Sequence, residues 1–198
     1  MRKFNPVILL ISCFLIACSS SDEKTNQSNE PKIDFLESGK EISAVAQTEL
    51  LKNVKNALEK EGPVYAIEFC NIHAESIADS ISKNFDVQIQ RLSLKNRNPQ
   101  NAPTAKEDKL LLNDYLEKLN EGRAITDTLI RLNDIASYYR PIIISAETCL
   151  KCHGQPGEEI NTETMIALNK LYPDDRATNY RMGELRGMWK ITFSGKSN

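Results

Sequence analysis

Cys149, Cys152 and His153 stand together in the stretch TCLKCHG, Thr148 to Gly154. Two thiols at this spacing can exchange as a disulfide, supply half of a zinc site, or form thioethers with haem vinyl groups. The histidine directly after the second cysteine favours the third. C-x-x-C-H is the pattern of c-type haem attachment. One short turn brings both thiols to the vinyl groups, and the next imidazole falls over the iron as an axial ligand. The pattern nominates Cys149 and Cys152 as covalent anchors and His153 as an iron ligand of a single haem c.

The rivals fit less well. A thioredoxin-like pair opens a long helix after a strand, whereas Gly154, Pro156 and Gly157 stop any helix at once. A zinc site needs four ligands. The chain could add only Cys70 and His73 to the three in the motif. A disulfide closed across two residues would be strained.

A haem iron has a second face, and the residues leave its ligand open. His73 is the other histidine; Cys70 and the late methionines Met165, Met182 and Met188 complete the candidates. Cys70 and His73 share one helical pattern. At ~100° per residue Cys70 lies near the centre of the apolar stripe Ile67, Cys70, Ala74, Ile77, Ile81, and His73 lies ~60° to one side. The plain alternative makes Cys70 a small core residue and His73 a solvated flank. Arg91, Arg97 and Arg186 are candidates for haem propionate contacts, against a solvated role for each. Tyr138, Tyr139, Tyr180 and Met182 are candidate pocket residues that ordinary packing would explain equally well.

The leader places this chemistry outside the cytoplasm. Arg2 and Lys3 precede an apolar run, Val7 to Ala17, that is too short to span a bilayer and has the form of a signal-peptide core. It ends in LIAC, a lipobox pattern with Cys18 as the acylated residue. Cys13 is a weaker candidate, and an uncleaved anchor or a plain signal peptide is the alternative. Residues 1–17 are therefore expected to be a leader and 18–32 a polar tether. Residues 33–198 form one domain. Ser19 points to the outer membrane, at its periplasmic or surface face. The 25 Lys and Arg are outnumbered by 27 Asp and Glu, and no basic cluster stands out, so nucleic acid is not an expected partner.

Positioning the motif falls to an α+β domain. Residues 33–61 read as a helix with Ile42, Val45, Ala46, Leu50, Val54, Ala57 and Leu58 inward. Gly62 stops it, and Pro63 starts the next helix, 63–84. A strand follows around Val87 and Ile89, then the loop KNRNPQNAP. Thr104 and Glu107 form the capping box of a helix that ends near Gly122. Strands are expected at 127–134 and 136–144. In the second, Pro141 argues for an edge or a bulge. A short helix at Thr164–Leu171 precedes a half-buried final strand, which alternates Trp189, Ile191 and Phe193 with Met188, Lys190 and Thr192.

From Gly39 to Phe193 the chain resembles the bacterial c-type haem domains of PAS-like fold, long catalogued as a domain of unknown function and found alone or ahead of signalling modules. Five blocks carry the resemblance: GPVYAIEFCNIHAESIA, RLSLKNRNPQNAP, YYRPIII, TCLKCHG and LYPDDRATNYRMGELRGMWKITF. It implies a mostly antiparallel PAS-like sheet, one covalent haem, and ligation opposite His153 by the cysteine of an A-I-x-x-C helix, here Cys70. His73, three residues on, is a departure that offers the iron an alternative imidazole.

A thiolate ligand favours ferric iron and can leave on reduction, which suits a redox or diatomic-gas sensor. An electron carrier or redox subunit for an extracytoplasmic partner is the second class, and a non-haem thiol-redox or zinc lipoprotein the third. The chain ends soon after its last strand, so a sensor would act through a separate redox or signalling protein. No residue set suits hydrolysis or group transfer, and no enzyme activity is expected.

Overall fold

The structure, a computed structural model, describes Met1 and residues 34–194. The expectations placed on residues 2–33, which include the leader, acylation at Cys18 and the tether, lie outside the described residues.

Helix α1 (Phe35–Phe85) begins behind Asp34, whose carboxylate accepts from the Leu36 and Glu37 N–H groups at 3.0 and 3.2 Å. It is two helices joined at a kink. Glu61 leaves helical geometry, and Gly62 takes φ 80°, a conformation open to a residue without Cβ; Pro63 then starts the second half. The halves meet where Gly62 and Pro63 predict. In the first half Ile42, Ala46 and Ala57 are buried, whereas Val45, placed in the core by spacing, is exposed. Val45 lies one residue, ~100°, round the helix from Ala46, and the sheet covers the Ala46 side.

The sheet is antiparallel with order β1-β4-β3-β2, from strands β1 (Gln88–Leu92), β2 (Thr128–Leu132), β3 (Ile135–Ile143) and β4 (Leu185–Phe193). Helix α1 packs on one face against Tyr138, Trp189 and Ile191. Helix α2 (Lys106–Asn120) packs on the other, where Leu112 and Tyr115 meet Leu92, Tyr139 and Met188. This corrects the half-buried reading of the last strand. As an inner strand with helices on both faces, β4 buries Met188 as fully as Ile191.

Tyr138 and Tyr139 are core residues on opposite faces of β3, not pocket residues. Their hydroxyls donate to Asp127 Oδ2 at 2.5 Å and Asp108 Oδ1 at 2.8 Å. Gly39 lets α1 approach the sheet: a Cβ there would lie 2.3 Å from Cγ of Tyr138. Pro141 falls past the end of β2, where β3 pairs with β4 alone, and a register shift follows at Ile142/Ile143. β3 is thus an inner strand that is one-sided only locally at Pro141, and the irregularity beyond it passes over Arg186 on β4.

The capping box at Thr104 and Glu107 does not form. Helix α2 starts one residue later, behind Ala105, without a side-chain cap. Its first turn is tied down by Asp108, which accepts from Lys190 Nζ at 3.0 Å as well as from Tyr139. Among the described residues no helix is long and apolar enough to cross a membrane.

Candidate functional site

The cysteine motif forms helix α3 (Glu147–His153), which ends at Gly154. Gly154 is required there by packing: a Cβ would lie 2.7 Å from the Leu150 carbonyl. The chain then runs through a turn to α4 (Thr162–Leu171), which packs beside the second half of α1. This places the motif against the Cys70 stripe. Ile67 joins Ile160 and Leu168 in a small core, with Cys152 against its edge.

One cavity of about 760 Å³ collects the predicted residues. Cys70, Cys149, Cys152, His153, Arg91, Arg97 and Arg186 all line it, together with Tyr172 and the segment Ile142–Ala146. Its size falls within the roughly 300–1,000 Å³ of sites that bury a cofactor. His73 is not among the lining residues. It lies exposed on α1, its ring 4.7 Å from that of Phe69. The methionines are also elsewhere: Met188 in the core under α2, Met165 against Ile160 and Leu168, and Met182 exposed. Tyr180 and Met182 line a separate cavity of about 430 Å³, which shares Ser93, Arg186 and Gly187 with the first.

The His153 ring has a defined orientation. Nδ1 lies 2.7 Å from the Ala177 carbonyl, which can only accept, so Nδ1 carries the proton. Nε2 keeps its lone pair, as a metal-binding imidazole must. Burial first, and then Arg186 and Arg97, hold the ring well below the usual histidine range. The Tyr180 ring stands edge-on, 6.1 Å away.

The thiols are free. Burial pushes Cys152 up to about 11. Cys70 is also raised by burial, and Arg91 and Arg97 oppose that rise. Among the described residues no group of three or more His, Cys, Asp or Glu side chains is arranged to hold a metal ion.

The three arginines differ, which their shared residue type could not reveal. Arg97 is committed to the protein: Nε donates to Asp175 Oδ2 at 3.1 Å and Nη2 to the Cys152 carbonyl at 2.5 Å. Arg186 donates from Nη1 to Ser93 Oγ and the Lys95 carbonyl, and its Nε is buried without a partner. Arg91 faces the cavity with the Trp189 ring 5.8 Å away, and burial lowers its affinity for its proton. It remains available to an anionic group. Sequence reasoning gave no role to Asp175 or Ala177. The block DDRATN that contains them has no periodicity, and a carbonyl that orients a ring leaves no mark in residue type.

The chain matches the family described as Tll0287-like: Tll0287 over residues 18–194. Among solved structures it is similar to the crystal structure of the cyanobacterial heme-protein Tll0287, with a TM-score of 0.59 and 25% identity, covering 79% of this chain and 94% of that one. No curated protein matches.

Proposed function

The chain belongs to the Tll0287-like family, and from that premise we propose that it is a lipid-anchored, extracytoplasmic haem protein with a PAS-like domain that senses redox state or a diatomic gas. Cys149 and Cys152 hold one haem covalently, His153 and Cys70 ligate its iron, and Arg91 receives a propionate. The anchor is Cys18, in the outer membrane. When bound, the haem supplies a one-electron couple and a coordination position that a small gas can occupy.

The observation that carries this reading is convergence. Residues as far apart in sequence as Cys70 and His153 line one cavity, and Nδ1 of His153 is already committed to Ala177. The solved relative is described as a heme-protein. Sensing is favoured over plain electron transfer by Cys70. Burial favours its neutral thiol, and Arg91 and Arg97 favour its thiolate. Burial outweighs the two arginines, so the net effect favours the neutral thiol, a weaker ligand than the thiolate, which suits release.

The test is a pyridine haemochrome spectrum of protein made with a cytochrome c maturation system. One covalent haem is expected, and its absence would sink the reading. Rapid CO binding by the dithionite-reduced protein is expected of the sensor. A CO-inert haem that cycles reversibly would instead establish an electron carrier.

A further inference from the structure

The segment from Tyr172 to Tyr180 lies as a strap along the end of α3. Tyr180 N–H donates to the His153 carbonyl at 2.9 Å, and Asn179 N–H to the Gly154 carbonyl at 2.8 Å. Two residues before Asn179, the Ala177 carbonyl takes the His153 Nδ1 proton at 2.7 Å. Asp175 and Arg97 hold the residue that carries that carbonyl. Asp175 Oδ1 accepts the Ala177 N–H at 2.8 Å, and its Oδ2 accepts Arg97 Nε–H at 3.1 Å. Arg97 then reaches back with Nη2 to the Cys152 carbonyl at 2.5 Å and the Ala177 carbonyl at 3.4 Å. The circuit closes on the residue next to His153. The Arg97 and Asp175 side chains are 13% and 7% exposed, so water competes weakly for either.

We propose that Arg97 and Asp175 are positioning residues that set the electron donation of the His153 imidazole, and through it the reduction potential of the site. The proposal rests on the haem reading above. A carbonyl that pulls on Nδ1–H makes Nε2 a stronger donor, which favours ferric iron. The pull depends on where the Ala177 carbonyl points, and Asp175 holds that residue by its N–H. Arg97 adds a second constraint, because its fork ties Asp175 and the backbone of a haem-anchoring cysteine into one body.

Two substitutions separate positioning from charge. Asp175→Asn removes a negative charge, which by itself would favour reduction. Arg97→Lys keeps the positive charge, but one ammonium on a flexible stem cannot reproduce the planar fork to Asp175 and the Cys152 carbonyl. Reduction potentials are measured by spectroelectrochemistry on the haem-loaded protein, and the exchange rate of the His153 Nδ1 proton by NMR. Both variants are expected to shift the reduction equilibrium toward ferrous by roughly tenfold, about 59 mV for one electron, and to exchange that proton faster. An Arg97→Lys protein with unaltered potential and exchange overturns the proposal, whatever Asp175→Asn does. If Asp175→Asn does not fold, Arg97→Lys alone decides. A wild-type protein without covalent haem would refute the underlying reading instead, and the haemochrome spectrum distinguishes that failure.

Discussion

Cys70 and His73 are three residues apart on α1, yet Cys70 lines the large cavity and the His73 ring lies outside it against Phe69. The difference predicts the outcome of two substitutions. Cys70→Ser should change the ferric absorption spectrum strongly, and His73→Ala should leave it as in the wild type. The opposite pattern would assign the iron to His73.

Arg91 is the guanidinium that faces the cavity without a carboxylate or carbonyl partner among the described residues. Replacing a buried positive charge by a neutral amide favours the more positive iron state. Arg91→Gln should therefore lower the midpoint potential, as read by redox titration. An unmoved or raised potential would remove Arg91 from the haem environment.

Asp108 tests the fold without touching the site. It is 3% exposed and bonded to Lys190 and Tyr139. Asp108→Ala leaves the Lys190 charge buried without its partner, which should cost about 3–5 kcal/mol in urea denaturation. The visible spectrum of the surviving folded protein should not change.

Gly39 gives a complementary packing test. Its Cβ position overlaps the Tyr138 ring, and that ring is held by the bond to Asp127. Gly39→Ala should destabilise the domain by about 1–3 kcal/mol through overpacking. Equal or greater stability in thermal melts would contradict the close approach.

Alkaline pH should find the same core. Burial, reinforced by bonds to Asp127 and Asp108, raises Tyr138 and Tyr139 well above the ordinary tyrosine range. A raised folded value means that the stabilisation is complete below the unfolded pKa of about 10 and is lost as pH rises above it. In a spectrophotometric titration these two tyrosines should ionise only as the protein unfolds. Tyr139→Phe should shift alkaline unfolding to higher pH. Ionisation of both before any loss of the far-UV signal would show that they are not buried.

Local placement was the most readable part of the sequence. The C-x-x-C-H residues line one cavity with Cys70, which the Ile67–Ile81 stripe placed inward because a helical period survives any tertiary arrangement. Gly62–Pro63 and Pro141 were readable for the same reason, since backbone constraints act within a few residues. The fates of Arg91, Arg97 and Arg186 were not. Which of them stays free depends on Asp175, Ser93 and Lys95, brought near only by the fold. The start of α2 was misplaced by one residue: its N-cap is Ala105, which has no side-chain acceptor for a capping rule to find. Met188 was misjudged for a similar cause: alternation reports one covered face, and α2 covers the second.

Pro141 carries one more consequence. Past Tyr139, among the described residues, β3 has β4 on one side and no strand on the other, and the residues that follow, Ile142 to Ala146, form part of the cavity wall. A bare apolar edge of this kind is a template on which another chain can add a strand and begin to aggregate. Proline offers no N–H to such an intruder, and the register shift beside it bends the edge away from a flat ladder. The protein can thus leave the rim of its cavity uncovered and still resist polymerising along it.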